Sequence, residues 1–169
     1  MLNKQWVAFL LAFVAPLILI FWWWGAFNSA TVEITQRGPY RYAYADNVGD
    51  YTDLPQKQQD MAKRLRDQGV ECGATVMVLY DDPRQTAKKQ QRARVGCLIG
   101  PDIRVHDPIK VADVPSRRVV LAQVNAQPLM APGKAYSAML DYLEQNHIPF
   151  QLPTLEIFQN RELSVEMDL

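Results

Sequence analysis

The chain has 169 residues, room for one ordinary domain and little more, and it carries 18 Lys and Arg against 18 Asp and Glu. No basic block or stripe stands out, which argues against a nucleic-acid partner, because phosphate binding needs a concentrated positive surface. The nearest candidate, AKKQQRAR, reads as a solvated loop and strand end.

Residues Trp6 to Phe27, WVAFLLAFVAPLILIFWWWGAF, carry no charge. As a helix they would rise ~33 Å, about the thickness of a bilayer's hydrocarbon core. The run is longer than a signal peptide's apolar region, and FNSA places Asn28 where a cleavage site wants a small residue. The expectation is therefore a retained single-pass anchor over residues 1–28, with the bilayer as partner and a domain over 29–169. Pro16 is tolerated in a spanning helix, and Trp6 and Trp22–Trp24 bracket the run like interfacial belts. Orientation is undecided: Lys4 lies before the span, and Arg37 and Arg41 after it. The short lysine-bearing tail leans inward, which puts the domain outside the cytoplasm. Cys72 and Cys97 could pair or stay reduced.

After the span YRYAYADNV alternates like a strand, and PQKQQDMAKRLRDQG has helical spacing through Met61 and Leu65 up to Gly69. GATVMVLYDD is a strand that turns at Asp82-Pro83, and RARVGCLIG returns. The pattern then repeats, with RRVVLAQVN a strand, APGKAYSAMLDYLEQN a helix, and TLEIF and ELSVEMDL strands. Each half reads β-α-β-β. Adding 78 carries Met61 to Met139, Leu65 to Leu143, Val78 to Glu156 and Tyr80 to Phe158. The repeats span approximately 31–100 and 109–169, joined through GPDIRVHDPIKVADVPS. The expected product is an α+β domain: an antiparallel sheet with two helices on one face.

Glu156 is the residue this fold does not need. It stands amid Leu155, Ile157 and Phe158, where an unpaired carboxylate is costly, while the other half offers Val78 at the matching position. Alternation puts Glu156 and Phe158 on one face, with Tyr80 expected to flank the same place. A carboxylate between aromatic rings suits a partly apolar cation. The plain alternative is a structural ion pair with Arg94 or Arg161, or a wet strand edge. YDDP reads as a turn rather than a metal loop, and His106 and His147 lack metal-ligand spacing.

GDY before the first helix, LYDDP at the first hairpin, the following RARVG, and LEIF near the C-terminus resemble the GyrI-like small-molecule-binding domain, the effector-binding part of bacterial multidrug-responsive regulators. The resemblance covers roughly residues 30 to 169 and implies a duplicated β-α-β-β fold; no cofactor is expected. It also implies a groove glutamate that meets cationic or polar ligands, by position Glu156. Tyr51 of GDY and Tyr44 join Glu156, Phe158, Tyr80 and Val78 as candidate ligand contacts. Phe158 replaces the family's usual tyrosine, and AQPLMAPG lacks its G-x-Y. With a span where a DNA-reading helix would stand, transcriptional regulation by this chain alone is not expected. The alternatives are a hydrolase, as some similar domains are, with Glu156 as general base, or a membrane-bound scaffold recruiting protein partners.

Overall fold

A computed structural model describes residues 4–23 and 28–169, with side chains from residue 9 onward. Helix α1 runs over Lys4–Trp23 with Pro16 inside it, and exposes Phe9, Leu10, Leu11, Phe13, Leu17, Leu19 and Trp23 among others. Among the described residues no helix is long and apolar enough to cross a membrane. The apolar side chains described in α1 rise only about 22 Å. The expected span, Trp6–Phe27, reaches into residues 24–27 and the side chains of 6–8, which lie outside the described residues.

The domain follows as β1 (Thr31–Arg37), β2 (Tyr40–Val48), α2 (Leu54–Asp67), β3 (Thr75–Leu79) and β4 (Arg92–Leu98). Its second half is β5 (Lys110–Val114), β6 (Arg117–Asn125), α3 (Ala131–Gln145), β7 (Thr154–Gln159) and β8 (Glu162–Asp168). The expected β-α-β-β unit is thus corrected to β-β-α-β-β. The missing strands β1 and β5 each pair with the other half: β1 with β6 and β5 with β2. Their partners are far away in sequence, so local pattern does not announce them.

All strands join one antiparallel 8-stranded sheet in the order β1-β6-β8-β7-β3-β4-β2-β5. Only Gly38 and Pro39 link β1, at one edge, to β2, near the other. Laid flat, those strands would stand roughly 29 Å apart, whereas the link reaches at most about 11 Å. The sheet must therefore curl until its edges meet. Gln36 Nε2 donates to Ser116 Oγ at 3.1 Å where the β1–β2 and β5–β6 links pass. A side chain at Gly38 (φ +88°) would put its Cβ 2.8 Å from the Pro115 carbonyl oxygen.

Both helices cover the convex face. Helix α2 buries Leu54, Met61 and Leu65 with the polar Gln58 among them, and α3 buries Ala131, Ala135, Met139 and Leu143, each a buried stripe at helical spacing. The concave interior holds Tyr42, Tyr44, Val76, Val78, Leu155 and Ile157. It also holds Glu166, whose carboxylate accepts from Arg37 at 2.8 Å, Arg117 at 2.9 Å and the Tyr40 hydroxyl at 2.9 Å. That contact joins β8 to the start of β2 across the curl.

Cys72 and Cys97 form a disulfide, with Cα atoms 5.3 Å apart. It closes a loop of 25 residues, which predicts a loss of about 3 kcal/mol when both cysteines become serine or the bond is reduced. Urea unfolding with and without reductant measures it, and an unchanged midpoint with both thiols titratable would refute it.

Candidate functional site

The two halves are related by a pseudo-two-fold axis between the adjacent strands β3 and β7. Their register pairs Thr75 with Phe158, Met77 with Glu156 and Leu79 with Thr154. Directly opposed residues share a face, so Glu156 stands beside Met77 at the axis, on the helix-covered side. The helices match with a shift of 78, but the chain between α3 and β7 is one residue longer than that between α2 and β3. Met77, not Val78, is therefore the counterpart of Glu156.

That single residue corrects the expected lining, since a one-residue slip moves every strand side chain to the other face. Glu156 and Phe158 lie under the helices, Phe158 against the cluster of Met139 and Leu143. Tyr51 is on the same side, packed with Met77 and Leu79, its hydroxyl donating to the Arg92 carbonyl at 2.6 Å. Tyr80, Val78 and Tyr44 are on the concave side. Tyr80 and Phe158 thus do not flank one place.

Glu156 is 4% exposed. Tyr136, from α3, donates its hydroxyl to Glu156 Oε1 at 2.8 Å and lies 2.7 Å from Thr154 Oγ1. Among the described residues no cation comes within ion-pair distance of Glu156. Arg94 stacks 4.4 Å from the Tyr44 ring and 5.5 Å from that of Tyr80, and meets Asp46 at 3.2 Å. Arg161 donates to the Trp23 carbonyl at 2.7 Å. The structural pair with either arginine is therefore absent. Burial pushes the Glu156 carboxyl up to about 7, and the Tyr136 hydrogen bond only partly opposes it. Tyr136 is itself raised well above the ordinary phenol range, by burial first and then by the neighbouring Glu156 charge.

Tyr136 and Thr154 are also wall residues of a cavity of about 410 Å³, completed by Leu79, Leu140, Phe150 and Leu152. It lies between α3 and the β3–β4 connection, so both halves contribute. Glu156 stands one hydrogen bond behind its wall. Asp81 and Asp82 at the rim are held by Arg92 at 2.9 Å and Arg84 at 3.1 Å, and Asp82 also accepts from the Arg84 backbone N–H at 2.9 Å, the arrangement of a turn. Sequence reading passed over Tyr136. The available signal was the repeat, because a shift of 78 equates it with Gln58, a buried polar residue whose Nε2 donates to the Gly96 carbonyl at 2.6 Å. Both helices keep one polar group at that turn.

No protein-family model matches the chain, and no curated protein is similar to it. Solved structures are similar. EcmrR in its DNA complex aligns with TM-score 0.62 at 12% identity, over 82% of this chain and 57% of that one. The EcmrR C-terminal domain alone aligns with TM-score 0.60 at 11% identity, over 82% of this chain and 96% of that one. SAV2435 bound to tetraphenylphosphonium aligns with TM-score 0.52 at 10% identity, over 82% and 93%. The chain spans little more than half of the whole EcmrR chain and nearly all of its C-terminal domain. What these likenesses share with the repeat, the single sheet and the paired helices is architecture, and the fold of this chain is that of the GyrI-like effector-binding domains.

Proposed function

We propose that the protein is a membrane-anchored receptor for a small organic ligand, cationic or amphipathic, bound between the two repeats with Glu156 as the charged contact. The observation that carries this is a buried carboxylate with no cation beside it among the described residues, one hydrogen bond behind the wall of an apolar cavity of about 410 Å³. A guest cation would supply the missing partner, and Leu79, Leu140, Phe150 and Leu152 its apolar surroundings. The tetraphenylphosphonium bound by SAV2435 is a guest of that kind. Residues 1–28 are the anchor and 29–169 the binding domain. The exposed apolar side chains of α1 support the anchor, and the Cys72–Cys97 disulfide supports a domain outside the cytoplasm.

Thermal unfolding of the full chain in nonionic detergent, with tetraphenylphosphonium added, tests the binding. A ligand at one hundred times its Kd stabilises by about 2.7 kcal/mol, so the melting temperature should climb with concentration. No shift with this cation or with a panel of amphipathic amines would refute the reading. Resistance to carbonate extraction tests the anchor separately.

A hydrolase is the second reading, favoured by the place of Glu156 one hydrogen bond behind the cavity wall, where burial pushes its carboxyl up to about 7, a range suited to general-base work near neutrality. Consumption of a bound ligand by the wild type but not by Glu156→Gln would establish it.

A further inference from the structure

The end of α1 is fastened to one corner of the domain. Arg161 Nη2 donates to the Trp23 carbonyl at 2.7 Å, and its guanidinium lies 5.7 Å from the Trp23 ring. Asn28 Nδ2 donates to the Asn125 carbonyl at 2.6 Å, and Lys134 Nζ donates to the Asn28 carbonyl at 2.6 Å. The backbone N–H of Ala126 donates to the Arg161 carbonyl at 3.1 Å, so the β6–α3 loop and the β7–β8 turn form one cluster. Asn160 and Arg161 take left-handed conformations (φ 50° and 69°), as a tight hairpin turn requires.

The same cluster presents Leu129. It is 89% exposed, more than any other large apolar side chain among the described residues. It sits in a turn in which the N–H groups of Met130 and Ala131 both donate to the Gln127 carbonyl at 2.9 Å. An apolar tip next to Pro128, in a cluster that also holds Arg161 and Lys134, is suited to a lipid interface.

We propose that the β6–α3 loop and the β7–β8 turn form a foot that docks on the bilayer holding α1. Leu129 inserts at the interface, while Arg161 and Lys134 lie at the level of the lipid phosphates. This inference rests on the reading of α1 as a membrane anchor. The foot gives the domain a fixed posture, and it sets the cavity close to lipid, because Tyr136 and Leu140 of the cavity wall belong to the helix that begins at the foot. A guest already dissolved in the bilayer would then need only a short transfer.

Depth-dependent quenching tests it with the full chain in vesicles of phosphatidylcholine and phosphatidylserine carrying brominated acyl chains. An environment-sensitive fluorophore is attached at Leu129→Cys and, in a second preparation, at Asp102→Cys, an exposed site in the β4–β5 connection. The chain's native tryptophans, all within residues 6–24, report on the anchor. The expected result is loss of most fluorescence at position 129, a blue-shifted emission there, quenched tryptophans and an unaffected position 102. Quenched tryptophans with position 129 unaffected would overturn the foot and leave the anchor standing. Unquenched tryptophans would overturn both.

Discussion

Glu166→Gln is expected to lower the stability of the fold by about 3 kcal/mol or more, the largest effect of any single substitution considered. Its carboxylate is fully buried and accepts hydrogen bonds from Arg37, Arg117 and Tyr40. Gln keeps the shape but leaves two inward guanidiniums facing a neutral amide. Breaking a buried pair costs about 3 to 5 kcal/mol, because a charge remains without compensation. Arg117 keeps Asp168 as a partner, so Arg37 is the more exposed to the loss. The position amplifies the effect, since Tyr40 on β2 reaches β8 only because the sheet has curled, and this contact holds the curl shut. Urea unfolding measures the change, and a loss below about 1 kcal/mol would show that the cluster is solvated. Replacing the carboxylate and both arginines together with apolar residues of similar volume should recover most of the loss, because all the buried charges then leave at once.

Neither Glu166 nor the seam it closes is legible in the sequence. In ELSVEMDL the alternation correctly places Leu163, Val165 and Met167 on the helix side, which makes Ser164, Glu166 and Asp168 look like a wet face. Ser164 and Glu166 are dry only because the Gly38-Pro39 link forces two distant strands together, while Asp168 at the strand's end stays exposed. Strands β1 and β5 escaped for the same reason, as each is completed by the other half. By contrast, RRVVLAQVN coincides with β6, and the stripes of α2 and α3 lie where Met61, Leu65 and their shifted counterparts placed them, since local periodicity decides those elements. The site was half legible. The face of Glu156 and Phe158 followed from alternation within β7. Its partner across the axis did not, because a constant shift cannot register an extra residue between helix and strand. Tyr136 was hidden by its place in a helix, where a tyrosine beside Ala135 and Met139 reads as core.

Glu156→Gln is expected to act with the opposite sign to Glu166→Gln, although both carboxylates are buried. Glu156 has no cation among the described residues to abandon, and Gln can still accept a hydrogen bond from the Tyr136 hydroxyl. Its carboxyl titrates at about 7 in the folded protein, against an ordinary value of 4.5. The folded state therefore binds more protons than the unfolded state between those pH values, and stability falls as pH rises through that window. Below it the carboxyl is neutral in both states and costs nothing. Above it the full penalty, about 3 kcal/mol, is present. The Gln variant should accordingly match the wild type near pH 4.5, gain up to that amount at pH 8, and lose this part of the pH dependence. Affinity should move the other way. A cation binds the ionised form, so the wild type should take up tetraphenylphosphonium more tightly as pH rises toward 7 and level off above it, releasing a proton on binding. The variant should show no such rise and should bind less tightly at pH 8 by about 2 kcal/mol, a factor of roughly 30. Urea unfolding at the two pH values and calorimetric titration of the cation give both signs in one pair of proteins. A variant several kcal/mol less stable than the wild type at pH 8 would mean that Glu156 serves the fold, and unchanged cation affinity would remove it from the site.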